Sequence, residues 1–214
     1  MHGLLKSTVD FLIRKGVVKP RVLEMGSMIS EDYQWQNFGS FRDKLPPNGY
    51  LGIDLAPGRN VDLVGDICDP AFDVGAIQTI LSLEVLEHCF EFEKYITRMY
   101  GLLPDDGVLV LSTPFRIHLH GYPSDYWRFS PDAHQLLLRK HFPFVITGRL
   151  DNFEHIEFPL MVLSIAFKRA NPERAMEVFQ FLRELETCEE TLNAKSKGWE
   201  YANSYDFRLN SCIF

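Results

Sequence analysis

The 214-residue sequence lacks an excess of positive charge. It carries 22 lysine and arginine residues against 29 aspartate and glutamate residues, which gives a formal net charge of −7. Proteins that bind a nucleic-acid backbone are normally basic, because they neutralise phosphate charges. The acidic balance therefore disfavours nucleic acid as the main partner.

Long uninterrupted apolar runs are also missing. No stretch of the sequence reaches the roughly 18–20 apolar residues that a membrane-spanning helix needs. Near the amino terminus, apolar residues fall on one face of a predicted helix and are interrupted by Lys6, Asp10 and Arg14. This pattern is unlike that of a secretory signal. We therefore expect a soluble, cytoplasmic protein without a membrane span.

Cysteine is scarce, and its spacing forms no motif. The four cysteines include no CxxC pair: Cys68, Cys89, Cys188 and Cys212. Zinc sites built on cysteine and disulfide frameworks both need characteristic cysteine spacings. Neither is expected here, and the sequence indicates a reducing compartment.

Apolar runs alternate with helical patterns along the chain, and 46% of the residues are hydrophobic. The runs that we interpret as strands are RVLEMG, YLGIDL, VDLVGD, AIQTILSL, VLVLSTP, FVITGRL and LMVLSIAFKRA. Helices are predicted over Leu4–Lys15 and Glu91–Leu103, after Ser130 as an N-cap, and from Pro172. Buried strands separated by helices are typical of a mainly parallel sheet covered on both faces, an α/β fold.

Small and acidic residues follow several of the predicted strands. Ligands of parallel sheets bind at the carboxyl ends of the strands. The predicted binding residues are therefore Glu24, Gly26, Ser27, Asp54, Leu55, Asp66, Ile67 and Leu83. Gly26 lets a ligand approach the backbone, and the two oxygens of Asp54 suit the vicinal hydroxyls of a ribose. Asp66 and the amide of Ile67 suit an adenine edge, so we predict an adenosine-containing ligand.

Glycine is scarce in the first of these loops. The segment EMGSMISEDY has one glycine, and Asp54 lies 28 residues after Gly26. A nicotinamide or flavin site typically has GxGxxG and an acid about 20 residues further on. The sequence also lacks the GK[ST] element of nucleoside triphosphate sites. We therefore predict S-adenosylmethionine, an adenosine ligand without phosphates, with Glu24 facing its cationic methionine end.

Five motifs occur in order along the chain: VLEMGS, YLGIDL, VGDI, FDVGAIQTILSLEVLEH and LLPDDGVLVLSTPF. This series resembles class I S-adenosylmethionine-dependent methyltransferases, and its last two members resemble the type 11-like subgroup. The resemblance covers about Val22–Phe142. It implies a Rossmann-like three-layer sandwich with a seven-stranded, mostly parallel sheet and an antiparallel last strand.

The same resemblance implies an enzyme that transfers a methyl group to a small molecule or to a glycan- or lipid-linked acceptor. A non-catalytic binding or scaffold protein of the same fold is the alternative. Residues 1–170 are expected to form the S-adenosylmethionine-binding domain, and residues 171–214 a helix and an aromatic tail packed on it. For the tail, a homodimer contact or a cap over the acceptor site remain open alternatives.

The segment HGYPSDYWRFSPDAH follows the fifth predicted strand and is rich in aromatic and charged residues. Methyl transfer to oxygen or nitrogen can require a general base, and imidazole titrates near neutral pH. The predicted catalytic residues are His120, His118 and Tyr126. Of the two histidines, His120 is the first choice as the general base and His118 the second. Arg128 either pairs with Asp125 or binds an anionic acceptor.

A metal site is not predicted from the sequence. His118 and His120 form an HxH pair, but a metal site needs three or four ligands and no second cluster is evident. His88, at the end of the fourth strand motif, is interpreted as a cap of the helix that follows it.

Overall fold

The computed structural model describes residues 3–29, 40–121, 124–150, 158–169 and 171–187. The aromatic tail from residue 188 onward lies outside the described residues, as does Tyr122. The roles predicted for the tail therefore remain predictions.

Strands and helices occur in the order expected from the sequence. The strands are β1 (Val22–Met25), β2 (Tyr50–Asp54), β3 (Leu63–Val64), β4 (Thr79–Leu83), β5 (Val108–Pro114), β6 (Phe144–Leu150) and β7 (Met161–Phe167). The α-helices are α1 (Gly3–Arg14), α2 (Phe92–Leu102), α3 (Pro131–Arg139) and α4 (Pro172–Thr187). Each predicted apolar run thus contains a strand, and each predicted helix is present.

The strands form a seven-stranded sheet in the order β3-β2-β1-β4-β5-β7-β6. β1 lies between β2 and β4, with Val22 beside Tyr50 on one side and Thr79 on the other. β7 runs antiparallel to both of its neighbours, whereas the other pairs in the sheet are parallel. This confirms the predicted sheet, including its antiparallel last strand in chain order. The carboxyl ends of β1, β2, β4 and β5 consequently meet at one edge.

Apolar layers cover both faces of the sheet. Side chains alternate along each strand, so Val22 packs into one layer and Leu23 into the other. Leu5 of α1 and Val178 of α4 belong to the first layer, and Ile96 of α2 to the second. The fold is therefore a three-layer α/β/α sandwich, and α4 packs in the same layer as α1. No helix within the described ranges combines the length and apolarity needed to cross a bilayer.

The start of α3 is set by local sequence. The hydroxyl of Ser130 accepts a hydrogen bond from the amide of Ala133 at 3.2 Å, and Pro131 occupies the first turn. A serine N-cap satisfies an amide that otherwise has no partner within the helix. The cap fixes where the segment after β5 ends and where α3 begins.

Candidate functional site

A cavity of about 660 Å³ opens at the carboxyl edge of the parallel strands. Its walls come from the segments that follow β1, β2, β3 and β4, and from the start of α2. Five of the eight predicted binding residues line it: Gly26, Asp54, Leu55, Asp66 and Ile67. The fold thus brings together residues that are up to 41 positions apart in the sequence.

Gly26 lies where the chain leaves β1. Its φ of +64° is in the left-handed region, which side chains other than glycine rarely adopt. A Cβ atom at this position would lie 2.6 Å from Cγ2 of Val85, another residue of the cavity wall. Both the backbone conformation and the close contact therefore require glycine.

Asp54 ends β2 at the mouth of the cavity. Its Oδ2 accepts a hydrogen bond from the Met28 amide at 3.1 Å, and its Oδ1 accepts one from the Ala56 amide at 3.3 Å. Each carboxylate oxygen can accept two hydrogen bonds, so each keeps one position for a ligand. The carboxylate is thus held in place while it remains able to bind a pair of hydroxyl groups.

Asp66 and Ile67 belong to a turn after β3. Oδ1 of Asp66 accepts a hydrogen bond from the Cys68 amide at 2.8 Å. From α2, Nε of Arg98 donates to the Ile67 carbonyl at 2.9 Å and Nη2 donates to the Phe72 carbonyl at 2.8 Å. These bonds fix the turn against the helix, with Asp66 exposed at the cavity wall.

Glu24 lies away from the cavity. Side chains alternate along β1, and Met25 lines the cavity while Glu24 lies on the opposite face. Oε2 of Glu24 accepts a hydrogen bond from the Tyr50 hydroxyl at 2.6 Å, and that hydroxyl in turn accepts one from Asn60 at 2.7 Å. Burial raises the pKa of Glu24 to about 7 despite the bond from Tyr50. Glu24 therefore does not line this cavity, and its predicted contact with the ligand stays a prediction.

Ser27 and Leu83 also lie behind the cavity wall. The amide of Ser27 donates to the Ile53 carbonyl at 3.1 Å, and its hydroxyl donates to the Asn60 carbonyl at 3.2 Å. Leu83 is 6% exposed and packs in an apolar layer. Both residues shape the strand ends that surround the cavity.

Glu84 lines the cavity but was not among the predicted residues. It follows β4 directly and has a φ of +57°, which is uncommon for a residue with a side chain. The Ser112 hydroxyl donates to its Oε1 at 2.9 Å, and the Glu84 amide donates to the Ser112 carbonyl at 3.1 Å. Burial raises the pKa of Glu84 to about 7. Its position directly after a strand was the sequence signal that could have identified it.

A second polar group, formed by Glu87, His88 and His120, adjoins the cavity through His88. Glu87 is completely buried, and neither of its carboxylate oxygens has a hydrogen-bond partner among the described residues. Its Oε1 lies 3.6 Å from Nε2 of His88 and 3.8 Å from Nε2 of His120. Burial, reinforced by the neighbouring Glu84, raises the pKa of Glu87 to about 9.

Both histidines are oriented through their Nδ1 atoms. Nδ1 of His88 lies 2.6 Å from the Ser124 carbonyl oxygen, and Nδ1 of His120 forms a hydrogen bond with the His118 carbonyl oxygen at 3.2 Å and lies 3.2 Å from Oδ2 of Asp125. A carbonyl or an ionised carboxylate only accepts, so Nδ1 carries a proton, and in the neutral form of each ring Nε2 has the lone pair. The predicted capping role of His88 is wrong, because α2 has Glu91 as its N-cap and no side-chain cap bond.

Asp125 holds this arrangement together. Arg128 pairs with both of its carboxylate oxygens, with an Nη2–Oδ2 distance of 2.7 Å. The same Oδ2 accepts a hydrogen bond from the amide of His120 at 2.9 Å. Hydrogen bonding to Arg128 lowers the pKa of Asp125 to about 2. Of the two roles considered for Arg128, the structure shows the pairing with Asp125.

The three predicted catalytic residues are placed differently. His120 belongs to the polar group, and burial lowers its pKa. His118 is exposed to solvent. The half-exposed ring of Tyr126 packs edge-on against Phe90 at 5.4 Å between ring centroids, and its backbone amide donates to the Glu87 carbonyl at 2.8 Å. Of the three, only His120 therefore belongs to the group with Glu87 and His88, whereas the ring of His118 lies 6.4 Å from that of His120 between centroids.

Comparison with known proteins identifies the fold. No protein-family model matches the chain, and a search of curated proteins gives no match. Among solved structures, the 1,6-didemethyltoxoflavin-N1-methyltransferase of Burkholderia thailandensis, with bound 1,6-didemethyltoxoflavin and S-adenosylhomocysteine, aligns with a TM-score of 0.56 and 16% identity. The alignment covers 78% of this chain and 77% of that chain.

Two further structures support the same conclusion. The N-methyltransferase NodS of Bradyrhizobium japonicum, in complex with S-adenosylhomocysteine, aligns with a TM-score of 0.53 and 16% identity over 80% of this chain and 89% of that chain. A methyltransferase of Archaeoglobus fulgidus described as dependent on S-adenosylmethionine aligns with a TM-score of 0.55 and 13% identity, over 75% and 93%. At these identities the similarity establishes a shared fold.

Proposed function

We propose that this chain, which has the fold of S-adenosylmethionine-dependent methyltransferases, transfers a methyl group to a small-molecule or glycan- or lipid-linked acceptor. The observation that carries the proposal is the convergence of Gly26, Asp54 and Asp66 on one cavity at the carboxyl edge of the sheet. Each comes from a different strand end, and their chemistry suits different parts of one adenosine ligand.

In the proposed complex, the free lone pairs of Asp54 accept hydrogen bonds from the two ribose hydroxyls. Asp66 accepts from the exocyclic amine of adenine, and the amide of Ile67 donates to a ring nitrogen. The bare backbone at Gly26 lets the methionine end approach β1 closely. Glu84, in the cavity wall, takes the place expected of Glu24 as the carboxylate beside the cationic end.

The acceptor is proposed to lie on the side of the cavity where His88 meets the polar group. Methyl transfer from a sulfonium is an in-line displacement, so the protein contributes mainly proximity and alignment. His120 is the proposed acceptor-side residue, because its Nδ1 bonds to the His118 carbonyl and lies beside Asp125, which leaves Nε2 available to take a proton. Two structures of the same fold are named as N-methyltransferases, which supports a small-molecule acceptor.

Calorimetric titration of the purified protein with S-adenosylmethionine and with S-adenosylhomocysteine tests the proposal, with NAD as the comparison ligand. We expect one molecule of either sulfur compound to bind per chain and NAD not to bind. Absence of binding to a folded sample would overturn the proposed cofactor. A panel of small-molecule, glycan and lipid acceptors then tests for methylated product. Cofactor binding without any product would favour the alternative of a non-catalytic binding or scaffold protein.

A further inference from the structure

We propose that Glu87, His88 and His120 form a binding site for one divalent transition-metal ion, with Zn²⁺ as the ion that fits best. The site adjoins the cofactor cavity. It was not expected from the amino-acid pattern, because only the HxH pair is visible there and His118 of that pair does not take part. The third ligand is Glu87, which the fold brings next to His120 from 33 positions earlier in the chain.

The three side chains have the spacing of a metal site. Their donor atoms all lie within 4.8 Å of one another, and Oε1 of Glu87 lies 3.6 and 3.8 Å from the two imidazole Nε2 atoms. Two ligands bound to one zinc ion in tetrahedral geometry are about 3.3–3.6 Å apart, from bond lengths of about 2.0–2.2 Å. The donors therefore surround a space that one ion fills after the distances between them shorten by about 1.5 Å or less.

Glu87 provides the second, independent observation. It is completely buried, and both of its carboxylate oxygens are without a hydrogen-bond partner among the residues described. A buried carboxylate in that state is unfavourable whether it is ionised or protonated. A proton on Glu87 would not form a hydrogen bond across 3.6 or 3.8 Å. A metal ion between the three groups would bond to the carboxylate and to both rings.

The histidines are already oriented as metal ligands. Each directs Nδ1–H to a backbone carbonyl, that of Ser124 for His88 and that of His118 for His120, whose Nδ1 also lies 3.2 Å from Oδ2 of Asp125. Metal-binding histidines nearly always donate their other ring N–H to a carbonyl or a carboxylate, because this fixes the tautomer and the ring. Arg128 in turn holds Asp125 through a hydrogen bond, so the residue beside His120 is also fixed in position.

The ligand set indicates which ion binds. Two imidazoles and one carboxylate suit zinc and neighbouring first-row metals, whereas Mg²⁺ prefers oxygen ligands. Three protein ligands also leave one tetrahedral position open, as at catalytic zinc sites. Because His88 lines the cavity, we expect the open position to lie at the cavity wall, where an acceptor hydroxyl could bind and ionise more readily. This last step rests on the proposed function, whereas metal binding itself does not.

The experiment is a titration of EDTA-treated, tag-free protein with Zn²⁺ in the absence of S-adenosylmethionine, followed by calorimetry and by competition with a zinc-binding dye. We expect one Zn²⁺ per chain, with weaker binding of Mn²⁺ and Mg²⁺. Glu87→Gln and His120→Ala should each weaken Zn²⁺ binding by about 100-fold or more, since even changes next to ligands cost about 10–100-fold. Asp125→Asn should weaken it by about 10–100-fold.

His118→Ala is the matched control, because His118 lies two residues from His120 in the same loop but outside the cluster. It should leave zinc affinity unchanged. If Glu87→Gln fails to fold, the test passes to His120→Ala, whose side chain is 29% exposed. Absence of stoichiometric binding to folded wild-type protein would overturn the site, and so would equal affinities in the His118 and His120 variants.

The same samples separate the metal site from the proposed function. Zinc binding by protein that fails to bind S-adenosylmethionine would leave the metal site standing and overturn the cofactor. Cofactor binding by protein that fails to bind zinc would overturn the metal site and leave the proposed cofactor standing. A bound ion would also occupy the Nε2 lone pair that base catalysis by His120 needs. Loss of turnover in His120→Ala with unchanged zinc affinity would assign the residue as a base and overturn its role as a ligand.

Discussion

Replacing Asp54 by alanine removes the carboxylate that we assign to the ribose. The side chain ends β2, and its two backbone hydrogen bonds, from the Met28 and Ala56 amides, hold it at the mouth of the cavity. A ligand contact made by such a prepositioned carboxylate is charge-assisted. We therefore expect Asp54→Ala to weaken the binding of S-adenosylmethionine strongly.

The size of the effect follows from the hydrogen bonds that the alanine variant can no longer make to the ribose. A hydrogen bond to a charged group is worth about 1.5–3 kcal/mol, and each 1.4 kcal/mol changes an equilibrium constant about tenfold. The dissociation constant should therefore rise by about 10- to 150-fold. This range is for the loss of one hydrogen bond, and the loss of two would raise the dissociation constant further.

Calorimetry of wild type and variant with S-adenosylhomocysteine measures the change. Asp54→Asn keeps the shape and one acceptor oxygen, so it should lose less affinity than Asp54→Ala. Asp106→Ala is the matched control, because Asp106 precedes β5 at the opposite edge of the sheet and its side chain is 68% exposed. An unchanged dissociation constant for Asp54→Ala, in protein that melts cooperatively, would refute the assigned position of the cofactor.

Three further predictions concern stability and turnover. Gly16→Ala and Gly26→Ala place alanine at φ values of +67° and +64°, but only the second meets Val85. Gly16→Ala should lower the free energy of unfolding by about 1–2 kcal/mol and Gly26→Ala by more, as measured by urea denaturation; equal losses would contradict the Val85 contact. Burial raises the pKa of Glu24 from 4.5 to about 7, so the folded state retains a proton that the unfolded state releases first. The stability that this group contributes is therefore fully present below pH 4.5 and falls by about 3 kcal/mol as the pH rises through 7. Glu24→Gln should abolish this pH dependence. Parallel profiles of stability against pH for the two proteins would contradict the prediction. His120→Ala should slow methyl transfer with nearly unchanged cofactor affinity, and full activity in the product assay would exclude it from catalysis.

The strands were predictable because their apolar residues form continuous runs in the sequence. β4 is buried along its length, with Ile80 in one apolar layer and Leu81 in the other, and such strands appear as continuous apolar runs. α3 was predictable from Ser130 and Pro131, whose chemistry defines a helix start. Apolar patterning and helix capping depend on neighbouring residues alone, so the sequence was sufficient to predict these strands and this helix.

Part of the site was predictable for a similar reason. Asp54 ends β2, Asp66 lies two residues after β3, and parallel strands end at one edge, so the two carboxylates were expected near each other. Glu24 was predicted to face the ligand from its motif position alone, without regard to its face of the strand. The cavity opens on the side of Met25, and alternation along β1 sends Glu24 to the other side.

The polar group of Glu87, His88 and His120 could not be found this way, because no local pattern joins the adjacent pair Glu87 and His88 to His120. They meet because the segment after β5 is bonded to the turn after β4. The amides of Tyr126 and Trp127 lie 2.8 and 3.3 Å from the Glu87 carbonyl. These contacts span 39 and 40 positions and depend on the finished sheet.

The composition of the segment from His120 to His134 follows from this attachment. Trp127 donates from its indole N–H to the Cys89 carbonyl at 3.2 Å and packs edge-on against Phe92 at 5.2 Å, which fixes the segment to the start of α2. Arg128 neutralises Asp125 and also donates to the Trp127 carbonyl at 2.8 Å. The aromatic side chains therefore attach the segment to the start of α2, and the charged side chains orient the residues within it. His120 is consequently held beside Glu87 through contacts of residues 124–130, which form neither helix nor strand, so the position of its imidazole depends on these side-chain contacts.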